Sequence, residues 1–111
     1  MMSVVIRVGG DGCVRAVRAA GHAGDAPAGA NVACGAASAV LRAAAEALGG
    51  HAGLGCDARA ERPGSFSLRL DPPPASSREW VRGVTDVLLR GCLLIEDEFP
   101  GAVRVRIDKE R

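Results

Sequence analysis

The chain opens on a two-residue alternation. Val4, Ile6 and Val8 stand against Ser3, Val5 and Arg7, which predicts a half-buried strand. The "GGDG" of residues 9–12 predicts a hairpin turn, and a second strand follows over about residues 13–20. That strand alternates less cleanly, because Arg15 and Arg18 fall on opposite faces. A helix is expected from near Asn31 to the "GGHAG" of residues 49–53. Leu54, Cys56, Ala58 and Ala60 then alternate with Gly55, Asp57, Arg59 and Glu61, a third strand.

The turn "RPG" leads to the clearest strand, in which Phe66, Leu68 and Leu70 alternate with Ser65, Ser67 and Arg69. "DPPPASS" breaks it. Ser76 with Glu79 three residues on fits a capping box for a second helix. In that helix Trp80, Val81, Val84, Val87, Leu88, Leu94 and Ile95 recur at helical spacing, and Phe99, Pro100 and Gly101 end it. A last strand places Val103, Val105 and Ile107 opposite Arg104 and Arg106. The order ββαββαβ predicts a two-layer α+β domain. Its largely antiparallel five-stranded sheet has two helices on one face and water on the other.

At 111 residues the chain is one domain, 1–111, with one core. Alanine supplies much of the apolar fraction and aromatics are only 3%, so that core is small and aliphatic. With 14 basic and 13 acidic residues the net charge is +1, and no direct nucleic-acid binding is expected on that balance. Arg7 interrupts the N-terminal apolar run, so no export signal is read there. Residues 32–48, carrying Arg42 and Glu46, are short and polar for a membrane span, and no membrane is expected as a partner. The cytoplasm is the expected compartment, with Cys13, Cys34, Cys56 and Cys92 as free thiols. Their spacing makes no zinc-binding pair, and no metal or other cofactor is called for.

Chemistry concentrates in residues 21–38, "GHAGDAPAGANVACGAAS". Asn31 suits a helix N-cap, which would put Cys34 in the first turn among unpaired N–H groups at the positive end of the dipole. His22, ending the second strand, is a base within the reach such a sheet and helix allow. Gly35 and its alanine neighbours leave room for a peptide backbone, and the loop between His22 and Asn31 buries little and can yield to one. A cysteine in an alanine-rich helix is also, and more often, a small buried hydrophobe, and a histidine after a strand a solvated turn residue. On residues alone, both readings stay open.

"GHAG" followed by "NVACGAASAVL" resembles the ribosomal-processing cysteine protease family, Prp, whose members show "GHA", a variable loop and "DIVCAAxSAL" opening a helix. The twelve-residue step from His22 to Cys34, residues 37–39, the element order and the late "IEDEFP" agree. The resemblance implies a bacterial, cytoplasmic, homodimeric endopeptidase. Such an enzyme removes the N-terminal extension of a large-subunit ribosomal protein precursor, cutting after hydrophobic, commonly aromatic, residues. It implies Cys34 as nucleophile and His22 as general base, with Gly21, Ala23, Gly35 and Ser38 as candidates for substrate contact. Asn31 stands where the family usually has aspartate. An amide caps the helix or orients the imidazole, but brings no charge to an imidazolium.

Two other readings use the same residues. One is a non-catalytic factor that binds ribosomal protein or assists ribosome assembly. The other is a thiol-redox or acyl-transfer enzyme; redox work would need Cys13 as resolving cysteine.

Overall fold

The structure, a computed structural model, describes residues 1–21, 28–61 and 64–110, with residues 28–31 given by their backbone alone. Five strands, β1 (Met2–Val8), β2 (Val14–Ala20), β3 (Cys56–Arg59), β4 (Ser65–Leu70) and β5 (Val103–Lys109), form one sheet in the order β3-β4-β2-β1-β5. Helices α1 (Ala28–Gly50) and α2 (Arg78–Glu98) cover one face of it. Three strand pairs are antiparallel, and β1 pairs β5 in parallel. The expected two-layer α+β fold and element order are those observed.

Alternation decides which face each strand residue takes. Met2, Val4, Ile6 and Val8 point into the core from β1, beside Val17 and Ala19 of β2, Leu68 and Leu70 of β4 and Val103 of β5. A bulge breaks the register between Arg7 and Val8: Arg7 pairs Ala16, while Val8 pairs Val14. Arg15 is the extra residue, which is why Val14 and Val17, three apart, are both buried. The untidy alternation of the second strand is the signature of this bulge. Arg15 turns back to bond Asp11 at 2.8 Å.

Both helices present stripes at three- and four-residue spacing. Ala33, Ala37, Leu41, Ala44 and Leu48 are the buried side of α1; Val81, Thr85, Leu88, Cys92 and Ile95 that of α2. By length and composition α1 is apolar enough to cross a membrane, but its stripe is taken up by the sheet. Glu96 of α2 reaches the open edge of β5, where its carboxylate accepts the Val105 N–H at 2.6 Å. An edge strand thus has one backbone donor covered by a charge.

Three expectations change. The first helix begins at Ala28, earlier than Asn31, because alanine and glycine in residues 28–30 carry no side chain that competes for the backbone. The third strand is shorter and more exposed than its alternation suggests, since it lies at the sheet's edge and only Cys56 is half-buried. The Ser76 capping box is not formed. A 3-10 turn, Ala75–Ser77, precedes α2, and Ser77 holds the N-cap position without a side-chain bond to the helix. The Ser77 hydroxyl instead lies 3.5 Å from His51 Nε2 at the exit of α1.

Candidate active site

Cys34 is the seventh residue of α1 and sits half-buried at the edge of the core. Because the helix starts at Ala28, Asn31 lies inside it and not at its N-cap. The N–H groups without intrahelical partners therefore lie in the first turn, ahead of residue 31 and about one turn before Cys34. The dipole effect falls away over that distance. The expected first-turn placement of the thiol is corrected to the second turn.

The four thiols are free, and their surroundings separate them. Burial pushes Cys92 up to about 11. Burial, helped by the Asp11 charge, raises Cys13, whose Sγ donates to the Arg78 carbonyl at 3.6 Å. Burial and Asp57 raise Cys56. Cys13 is fully buried beneath the start of α2, which removes the resolving thiol that a redox reading needs.

Gly35, next to Cys34, is exposed, and a Cβ built on it meets nothing within 4 Å. Among the described residues, nothing covers the helix surface at Gly35. Ser38 lies one turn beyond Cys34 on the same side of α1, half-buried, and lines a cavity of about 420 Å³. Met2, Leu41 and Phe66 give that cavity apolar walls, and Arg42 and Glu61 lie at its polar side. Met2, Phe66 and Glu61 are contributions sequence reasoning missed. The signal was present only in part: Phe66 is the first core-facing residue of β4, and it is half-buried where Leu68 and Leu70 are buried.

Gly21 closes β2 with φ +112°, and a Cβ there would collide with the Met1 carbonyl oxygen. Glycine is required at this point by the backbone, whatever else it touches. His22 and Ala23 lie outside the described residues, as do most of the loop up to the helix and the side chain of Asn31. The structure therefore places Cys34, Gly35 and Ser38 near one another on the surface of α1, with Gly21 just past the end of β2.

The sequence model of the cysteine protease Prp family matches residues 1–104. No curated protein matches the chain at a significant level. Among solved structures, the ribosomal processing protease Prp from S. aureus in complex with a substrate peptide is similar at 25% identity. That alignment covers 97% of this chain and 100% of the other, with a TM-score of 0.79. The same protease with a covalently linked product peptide gives 26% identity, 97% and 100% coverage and a TM-score of 0.75. SMU.848 from Streptococcus mutans shares the fold at 21% identity, with 98% and 95% coverage and a TM-score of 0.77. With a half-exposed thiol on the surface of α1 and a match over nearly its whole length, this chain belongs to the Prp family of cysteine proteases.

Proposed function

We propose that the chain is a bacterial, cytoplasmic endopeptidase that trims the N-terminal extension from a large-subunit ribosomal protein precursor. The observation that carries this reading is the family match over residues 1–104, whose solved relatives include a ribosomal processing protease holding substrate and product peptides. The free state of all four cysteines is in keeping with a reducing compartment.

In this reading Cys34 Sγ, as thiolate, attacks the scissile carbonyl while His22 holds the proton. Collapse of the tetrahedral intermediate breaks the C–N bond, and the imidazolium gives its proton to the leaving amine. Water, deprotonated by the same imidazole, then hydrolyses the thioester and returns the thiol. Asn31 orients the imidazole without adding charge to it. Ala23, Gly35 and Ser38 face the peptide, and an apolar side chain next to the cut enters the cavity walled by Leu41 and Phe66.

The enzyme acts as a homodimer. An apolar groove of about 530 Å³ between α1 and α2, lined by Val40, Ala44, Trp80, Val84 and Val87, supports this, as do exposed Val87 and Leu94. Sedimentation of the wild type against Val87→Asp tests it, with a dimer reduced to monomer as the expected result.

The deciding experiment is incubation with the extended ribosomal protein precursor. Wild type cuts it once, near the N-terminus, while Cys34→Ala and His22→Ala leave it whole. An intact precursor with the wild type, alongside binding without turnover, would move the assignment to a non-catalytic binding factor.

A further inference from the structure

The sheet face turned away from the helices carries six of the chain's 14 basic residues, all of them arginine. They are Arg7, Arg18, Arg59, Arg69, Arg104 and Arg106, and every one is exposed. Only two of the 13 acidic residues, Asp57 and Asp108, share the strand positions of that face, with Glu61 and Glu110 just beyond strand ends. The near-neutral total is thus an average over two unlike sides.

Strand register arranges these arginines. One row across the sheet reads Arg106, Val5, Arg18, Ser67, Arg59; the next reads Asp108, Arg7, Ala16, Arg69, Asp57. Within each row the arginines stand on alternate strands, about 9–10 Å apart, and the two rows are offset by one strand. The result is a checkerboard of guanidinium groups with Val5, Ala16 and Ser67 in the gaps. Two shallow depressions open on it, of about 340 and 270 Å³, and Arg18 and Ser67 line both.

Ion pairs hold the periphery. Arg106 bonds Asp108 at 3.0 Å, Arg59 bonds Asp57 at 3.3 Å and Arg7 bonds Glu110 at 3.0 Å. These pairs are exposed, so they contribute little and exchange readily. Among the described residues, Arg18 and Arg69 on the central strands, and Arg104, have no carboxylate partner.

We propose that this open sheet face binds the sugar–phosphate backbone of double-helical RNA. Arginine forks pair with phosphate oxygens in two-point contacts, and a lattice of them answers a polyanion with regularly spaced charges. The face is a sheet without a projecting helix or ribbon to enter a deep groove, as base reading in B-form DNA requires. The wide, shallow minor groove of A-form RNA can lie on such a surface, and Ser3, Ser65 and Ser67 offer hydroxyls to its 2′-OH groups. Among the described residues no aromatic side chain stands on this face, which disfavours single-strand binding by base stacking. No large exposed apolar side chain stands there either, and insertion into a lipid surface is disfavoured.

The test is fluorescence anisotropy of the full chain with a labelled RNA hairpin of about 20 base pairs, over a salt series starting near 50 mM. The wild type binds, and its affinity falls as salt rises. Arg18→Glu/Arg69→Glu weakens binding at least tenfold, Arg18→Ala/Arg69→Ala weakens it less and flattens the log–log salt slope by about two, and Arg90→Glu on α2 changes neither. Peptide cleavage is unchanged in all three variants, which also reports that they fold. Lack of binding at the lowest salt overturns the proposal, as does equal loss with Arg90→Glu. Equal affinity for a DNA duplex of the same length, or for phosphatidylserine vesicles, overturns the assignment to RNA.

Discussion

The hydroxyl of Thr85 joins the second helix to the sheet through Val14. It accepts the Val14 N–H at 2.9 Å and donates to the Val81 carbonyl one turn back, and both contacts are buried. Val14 stands at the β-bulge, where its N–H has left the regular ladder, so the hydroxyl completes what the bulge breaks. Thr85→Val keeps the shape and strands the buried donor. It is expected to cost about 1–3 kcal/mol in urea unfolding, whereas Thr85→Ser, which keeps the acceptor, costs clearly less. Equal losses for the two would mean that packing, not the hydrogen bond, holds this junction.

Two glycines of the site region respond in opposite directions. Gly35→Ala places a methyl where no described atom lies within 4 Å, inside a helix, and is expected to stabilise by about 0.5–1 kcal/mol. Gly21→Ala meets both a positive φ and the Met1 carbonyl, and is expected to destabilise by more than 1 kcal/mol. Thermal melts of both variants check the pair.

Thiol labelling separates the cysteines. With a slow alkylating reagent near neutral pH, peptide mapping is expected to find Cys34 modified in the native protein, while Cys13 and Cys92 react only after unfolding. His22→Ala is expected to slow the Cys34 reaction. Comparable rates at Cys34 and Cys92 in the native protein would count against the nucleophile.

Cys92 also sets an alkaline limit. Burial disfavours the thiolate and pushes the folded thiol up to about 11, from an ordinary value near 9.0. Below 9 both states hold the proton and stability does not depend on it. Between 9 and 11 the unfolded chain loses the proton first, so stability falls with rising pH. Of the order of 2 kcal/mol is expected to go across that window, with Cys13 and Cys56 contributing in the same direction. Cys92→Ala is expected to start less stable, through the lost volume, and to show a shallower decline in denaturant melts from pH 8 to 11.

Asn31→Asp supplies the negative charge that the amide lacks in the proposed mechanism. A negative charge early in α1 favours the helix by some tenths of a kcal/mol, and charge beside the imidazolium lowers the barrier for proton transfer. A severalfold rise in kcat/KM on the precursor peptide is expected, with a smaller change in KM. An unchanged kcat would assign residue 31 to the helix alone.

Strand positions were legible because they need only local alternation: Ser65–Leu70 was bounded correctly from six side chains. The bulge at Arg7 and Val8 was not, since a single inserted residue shifts the pattern without leaving a composition signal. The start of α1 was missed because asparagine at 31 is an attractive cap, while alanine and glycine before it extend the helix silently. In α2 the helical spacing does not say how many faces its apolar residues occupy. There are two: Val81, Leu88 and Ile95 enter the core, while Val87 and Leu94 remain outside. Local sequence singles out Cys34 and Ser38 as candidates, but it carries no sign of the cavity that Ser38 lines, because Met2 and Phe66 arrive from strands distant in sequence.

The parallel pairing of β1 with β5 brings residues of the chain's beginning against residues about a hundred positions later, Met2 beside Val103 and Val8 beside Lys109. A ribosome must therefore release residues 103–109 before the first strand acquires its second neighbour. Until then β1 has one bare edge, and the chain depends on its β1–β2 hairpin alone to keep that strand in register. Closing so distant a contact is slow. Completion of the sheet is therefore expected to wait for β5, the strand that gives β1 its second neighbour.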